Sequence, residues 1–283
     1  MDAGRIKIGI RMHDMKPGTI EERAAMAQEN GFACAHIALA KLIKEYKVAD
    51  GALTPGFAMH LKEVFAKNHV DIAVLGCYLN LATPDEDELK HNLLQYESQL
   101  RFASWLGCGV VGTETGAPNK EYRSVPECKS DAAFDILSKN LETVVGYAEK
   151  LGVVLAIEPV VRHIIHSPKR ARQMLDRIGS PNLRIIFDPV NLLDKSNYQQ
   201  RDEIFAESLE CFGKEIAMVH LKDFVVGEQD LKACAPGTGE MNYEAILAYM
   251  KKEKPYIHAT MEDTVPDNAI QAMQYLYGVY DRV

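Results

Sequence analysis

The chain has 283 residues, 47% of them hydrophobic, and a formal net charge of −8 at pH 7. This length and apolar content suit either two ordinary domains or one α/β barrel. The negative charge argues against nucleic-acid and anionic-membrane partners, and no segment approaches the roughly 20 apolar residues of a spanning helix. The N-terminal MDAGRIKIGI lacks the apolar stretch of a signal peptide. Cys34, Cys77, Cys108, Cys128, Cys211 and Cys234 are scattered, with no CxxC pair. Reduced, structural thiols and a cytoplasmic location are therefore expected.

In chain order, Ile6 to Ile10 reads as a first strand, and Thr19 to Asn30 as a helix stopped by Gly31. Cys34 to Leu39 reads as the second strand, and Lys41 to Gly51 as a polar loop with a possible helical turn. Thr54-Pro55 opens a helix to about Asn68, with proline near its first position. Ile72 to Leu75 is strand three. Thr83-Pro84-Asp85-Glu86 reads as a capping box, threonine being the cap, before a long helix to Leu106. Trp105 falls on that helix's apolar pattern and is expected in the core. Val110 to Thr113 is strand four, followed by a long polar loop from Glu114 to Lys129. Ser130 caps a helix that Gly152 ends, and Val153 to Ile157 is strand five.

Ser167-Pro168 starts the next helix, Leu183 to Phe187 is strand six, and a helix runs from about Gln199 to Phe212. Ile216 to Val219 is strand seven, and Phe224 to Met241 a glycine-containing loop. Tyr243 to Lys252 is a helix, Tyr256 to Met261 strand eight, and Asn268 to Tyr280 a last helix. Eight strands alternating with eight helical segments, in a single domain over 1–283, predict a TIM (β/α)8 barrel. An open doubly wound sheet would normally show a glycine-rich phosphate loop after strand one, and IGIRMHDMKPG is not one.

The segment VVLAIEPVV, Val153 to Val161, carries the functional signal. A short continuous apolar run fits a strand buried on both faces. This one runs into Glu158, whose carboxylate must find solvent, a cation or hydrogen bonds. LRIIF runs in the same way into Asp188, IAMV into His220 and YIHATM into Glu262. Any one such residue alone is more often a cap or a loop anchor. Four at the C-terminal ends of neighbouring barrel strands converge on one rim of the mouth, where TIM-barrel sites lie. Three carboxylates and an imidazole suit one manganese, magnesium or cobalt ion with positions open for substrate oxygens. Such an ion polarises a carbonyl, and a nearby carboxylate can then remove the adjacent C–H proton.

Further residues point to the same mouth. His163, in the loop leaving strand five, is a substrate-orienting or second acid/base candidate; a loop histidine bonded to backbone is the alternative. Lys222 either binds a substrate oxyanion or pairs with a carboxylate such as Asp223 or Glu240. Tyr78 and Asn80 after strand three, and Glu114 after strand four, are candidates for sugar hydroxyls, against a loop-structuring role. Arg11 and His13 end strand one with the same two readings, and His36 reads as a satisfied barrel residue. Pro236, Gly237 and Gly239 suit a lid or a close approach to ligand.

The motifs AIEPV around Glu158, FDPVN around Asp188, VHLKD around His220, PGTGEMNYEAIL from Pro236 to Leu247 and MED around Glu262 carry a resemblance. With them the chain resembles the xylose isomerase-like TIM-barrel superfamily, in its sugar phosphate isomerase/epimerase branch. The resemblance implies one divalent ion, commonly manganese, held by Glu158, Asp188, His220 and Glu262. It also implies that Glu158 and Glu262 exchange the substrate proton, as in ketose 3-epimerases.

Two positions depart from the pattern. Many relatives have a histidine three residues after the strand-six aspartate, where this chain has Asn191. Type IV apurinic endonucleases need such a histidine for their three-zinc cluster, so a DNA repair enzyme is not expected, and Asn191 becomes a substrate-binding candidate. Ketose 3-epimerases use an arginine shortly after the strand-seven histidine, where Lys222 stands here, so a free ketose is not specified.

The expected function is isomerisation or epimerisation of a sugar derivative. The alternative is a lyase or dehydratase on a keto-sugar, such as the catalytic subunit of a C-glycoside deglycosidase. A non-catalytic sugar-binding subunit is a third reading, and the intact ligand set opposes it. A homo-oligomer is expected from this branch, or a hetero-oligomer with a small partner subunit.

Overall fold

The computed structural model describes residues 5–283 apart from 45 and 47. The loop expected over Lys41–Gly51 and the N-terminal reading thus lie partly outside the described residues. In chain order the strands are β1 (Lys7–Arg11), β2 (Cys34–Ile37), β3 (Asp71–Gly76), β4 (Val110–Glu114), β5 (Val154–Glu158), β6 (Leu183–Phe187), β7 (Ile216–Leu221), β8 (Asp223–Val226), β9 (Leu231–Cys234) and β10 (His258–Met261). Eight of them close a parallel barrel in the order β1-β10-β7-β6-β5-β4-β3-β2, as expected, and β8 and β9 form a separate antiparallel hairpin.

The helices are α1 (Ile20–Glu29), α2 (Leu39–Leu42), α3 (Pro55–Lys67), α4 (Glu86–Leu106), α5 (Asp131–Leu151), α6 (Pro168–Ile178), α7 (Arg201–Phe212), α8 (Glu244–Glu253) and α9 (Ala269–Arg282). Their starts follow local chemistry. The Thr19 hydroxyl accepts from the Glu22 N–H while the Glu22 carboxylate accepts from the Thr19 N–H, a full capping box. Thr54, Ser130 and Ser167 cap α3, α5 and α6 by accepting one N–H each. Gly152 ends α5 at φ +66, a conformation that costs a residue with a Cβ.

Four local expectations need correction. The cap of α4 is Asp85, not Thr83, because its carboxylate accepts from both Asp87 and Glu88 N–H groups while the Thr83 hydroxyl is donated to Glu88. The stretch Phe224 to Met241 contains most of the β8–β9 hairpin rather than only loop. The last barrel strand starts at His258, since Ile257 N–H turns back onto the Lys254 carbonyl. Trp105 is 40% exposed, because the buried stripe of α4 runs through Tyr96, Leu100, Ala103 and Leu106 and misses it.

Most of the core lies between barrel and helices. A smaller cluster of Cys34, Ala73, Val74, Ala156, Ile186 and Met218 comes from the strands β2, β3, β5, β6 and β7 and fills the barrel interior. Side chains alternate along a strand. Two residues beyond Ala156, Ile186 and Met218, the next inward positions are Glu158, Asp188 and His220. The same step from Cys34, Gly112 and Thr260 leads to His36, Glu114 and Glu262. The apolar plug therefore carries a polar layer directly above it, at the C-terminal mouth of the barrel.

Candidate active site

Glu158, Asp188, His220 and Glu262 belong to four strands that are neighbours in the barrel order, or follow directly on them. All four are at least 95% buried, since their exposures are 2%, 1%, 0% and 5%. His220 is the hub. Its Nδ1 lies 3.4 Å from Glu158 Oε1 and 3.3 Å from Glu262 Oε1. Glu158, Asp188 and His220 bring one ligand atom each within 4.8 Å of one another, and so do His36, His220 and Glu262. Among the described residues neither ring nitrogen of His220 makes a hydrogen bond. A buried imidazole with no hydrogen bond, its Nδ1 held only by the charge of two carboxylates and its Nε2 facing no partner, is costly unless something else satisfies it. Three carboxylates facing such a ring are the donor set of a hard divalent cation, so these residues fit one.

His36 belongs to this site, contrary to its reading as a satisfied barrel residue. Its ring stacks on His220 with centroids 5.3 Å apart and an interplanar angle of 10°. Nε2 lies 3.1 Å from the Tyr78 hydroxyl, and Nδ1 lies 4.0 Å from Glu262. Burial, and then the neighbouring His220 charge, keep its pKa well below the usual histidine value.

Lys222 reaches into the carboxylates, with Nζ 2.9 Å from Asp188 Oδ2 and 3.4 Å from Glu262 Oε2. Its partners are these two, not the expected Asp223 or Glu240. Asp223 instead organises the PGTGEM loop. Its carboxylate accepts from the N–H groups of Phe224, Gly237, Gly239 and Met241. A Cβ at Gly239 would stand 2.1 Å from the Phe224 carbonyl, so only glycine permits this approach. Arg11 Nη1 lies 3.3 Å from Glu262, and Arg11 also pairs with Asp14.

The charges shape the acid–base properties. Burial would raise the Glu262 carboxyl, but His220, Lys222 and Arg11 outweigh it and hold it below the usual range. Burial would lower His220, yet Glu262 and Glu158 lift it to about 9. Burial, against the pull of Lys222, raises Asp188 to about 6. Burial and then the Glu158 charge raise Glu114 to about 7, with Lys222 pulling the other way.

Glu158, Glu262, Lys222, Arg11 and His36 border a cavity of about 340 Å³, lined also by His13, Tyr78, Glu114, Asn191, Lys41 and Asp263. That is within the size range of small-molecule pockets, about 300–1,000 Å³. The Asn191 amide donates to Glu158 Oε1 at 2.6 Å and so fixes this carboxylate. Glu114 sits beside Glu158 in the strand register. His163 stands one step further out, with Nδ1 3.5 Å from Glu114 Oε2 and the ring edge-on to Tyr122. Burial holds it at about 4, a neutral imidazole at pH 7. Asn80 does not line this cavity. Its amide donates to the Ala117 and Asn119 carbonyls and accepts from the Ala82 and Ala117 N–H groups, which is a loop-structuring role.

A family model described as a xylose isomerase-like TIM barrel matches residues 24–278. Among solved structures, the chain is similar to a 3-keto-D-glucoside 4-epimerase from E. coli, with a TM-score of 0.76 and 17% identity over 97% of this chain and 100% of that one. A D-psicose 3-epimerase from Clostridium cellulolyticum H10, solved with D-tagatose, has a TM-score of 0.72 and 15% identity over 97% of this chain and 99% of that one. An IolI protein with a bound zinc atom has a TM-score of 0.74 and 15% identity over 98% of this chain and 99% of that one. At such identities these likenesses speak for the fold. No curated protein matches the chain in sequence. Among the described residues, no helix is long and apolar enough to cross a membrane.

Proposed function

Because the chain belongs to the xylose isomerase-like TIM-barrel family, we propose that it is a divalent-metal-dependent enzyme that isomerises or epimerises a sugar derivative. The observation that carries this reading is the convergence of three buried carboxylates on His220, whose two nitrogens have no hydrogen-bond partner among the described residues. The sugar epimerases among the similar structures support the same chemistry.

Glu158, Asp188, His220 and Glu262 would hold the ion, and their oxygen-rich set favours manganese, magnesium or cobalt. When bound, the ion supplies Lewis acidity, which makes the C–H beside a substrate carbonyl more acidic. The rest falls to the chain's own groups. Glu158 and Glu262 approach the centre from β5 and from the end of β10, strands that lie on either side of β7 in the barrel order, and both face His220 Nδ1. One carboxylate, entering the step ionised, takes the proton from carbon, and the other, entering it protonated, gives its proton to the opposite face of the planar enolate; exchange with solvent resets the pair. The stereocentre is then inverted with no net change in atoms. Return of a proton to the former carbonyl carbon, with the hydroxyl proton moving to the former carbonyl oxygen, gives isomerisation instead. Asn191 holds Glu158 in place through one oxygen, leaving the other free for the proton. Lys222 offers a cation beside Glu262 for a developing enolate oxygen.

The test is a panel of keto-sugars incubated with manganese-loaded protein and scored by NMR for epimers and isomers. Chelation should abolish product formation and manganese should restore it. Equal turnover with and without chelator contradicts the metal dependence, and no product from any member of the panel contradicts the reaction class.

A further inference from the structure

A second cavity, of about 210 Å³, opens beside the first between the loops after β5 and β6 and the β8–β9 hairpin. Asn191 and Lys222 line both cavities. We infer that this compartment takes an uncharged, apolar, ring-sized substituent on the sugar, so that the substrate is a glycoside-like molecule rather than a free monosaccharide. The inference rests on the reading of the first cavity as the place where the sugar reacts.

The walls support it. Val160, Val161, Val190, Leu193 and Leu231 give the second cavity an apolar wall beside Arg162, Asp230, Asn191 and Lys222, whereas ionisable and polar side chains alone line the first. The two basic residues at its border are already paired. Lys222 contacts Asp188 and Glu262, and Arg162 contacts Asp230 across the rim. A phosphate or carboxylate entering here would compete with Asp188, Glu262 and Asp230 for these two cations, while an apolar group leaves the pairs intact. The size suits one aromatic ring, since an apolar cavity of about 150 Å³ is known to hold benzene.

The Arg162–Asp230 pair also ties the loop after β5 to the turn of the hairpin. Lys195, from the loop after β6, donates to the Gly227 and Glu228 carbonyls of the same turn. All three walls of the compartment are thereby joined. A ring placed between them would be held by a built cleft, not by a free loop.

The test is calorimetric binding of phenyl β-D-glucopyranoside and methyl β-D-glucopyranoside, which share the sugar and differ in the substituent. The wild type should bind the phenyl glycoside about tenfold or more tightly than the methyl one, as expected for a group filling an apolar pocket. Ala233→Trp places an indole on the exposed hairpin wall and should remove that preference while leaving the methyl glycoside unaffected. Leu231→Trp serves as a second filling variant, with circular dichroism checking the fold of both. Equal affinities in the wild type, no binding of the phenyl glycoside, or a preference that survives in folded filling variants overturns the inference. The failures separate cleanly. A phenyl preference without any turnover of keto-sugars leaves the compartment standing and removes the reaction. Turnover of free keto-sugars with no phenyl preference does the reverse.

Discussion

The Lys222 ammonium lies 2.9 Å from Asp188 Oδ2, so a cation of the chain itself stands among the carboxylates at the barrel mouth. Burial would lower its pKa, but Asp188, Glu262 and Glu158 keep it firmly charged. Removing it leaves buried carboxylates uncompensated, which typically costs about 3–5 kcal/mol. Lys222→Met should therefore lower the denaturation temperature strongly in chelator-treated protein and much less with manganese present, because the ion replaces the missing charge. Thermal melts in both conditions check this. An equal drop in both would mean that Lys222 does not share its carboxylates with a cation site.

Glu114 gives a pH signature. Its pKa of about 7 in the folded chain is above the value of 4.5 for an unperturbed glutamate. Between these values the folded chain holds more protons than the unfolded one, so this group's contribution to stability falls as pH rises from 4.5 through 7. Glutamine cannot ionise. Relative to Glu114→Gln, the metal-free wild type should lose about 1–2 kcal/mol between pH 5 and pH 8, a figure reduced for the side chain's partial exposure. Urea unfolding of both proteins at the two pH values measures it. Parallel pH profiles would show that burial does not hold Glu114 protonated.

Asp223 supports the loop that follows the hairpin. Four N–H groups converge on its carboxylate, and Asp223→Ala would leave them without that acceptor. The expected cost is about 2–4 kcal/mol, with proteolytic nicking concentrated between residues 224 and 241. Limited proteolysis followed by mass spectrometry locates the cuts. A variant as stable and as resistant as the wild type would contradict this role.

How much of this was legible in the sequence depends on where a polar residue falls relative to its apolar run. Glu158, Asp188, His220 and Glu262 each terminate a run, so the break in pattern marks them. His36 does not stand out, because Ile37, Ala38 and Leu39 continue the apolar stretch beyond it, and it reads as core. Counting inward positions two apart from Cys34 is the signal that finds it. The β8–β9 hairpin is hidden for a different reason. Val225 and Val226 are 38% and 36% exposed, so the strand lacks the alternation that a one-sided sheet imposes. Thr83 and Asp85 both suit an N-cap, and only the register of the helix decides between them.

The most direct measurement of the central claim is solvent deuterium exchange at the carbon beside the carbonyl. A keto-sugar turned over by the protein is incubated in deuterated water with wild type, Glu158→Gln and Glu262→Gln, and metal content is measured alongside. Glutamine keeps the shape of the side chain but cannot accept the proton. The wild type should wash deuterium into that carbon, and each variant should do so slower by several orders of magnitude. Exchange at the wild-type rate in both variants, with metal still bound, would show that neither glutamate is the base.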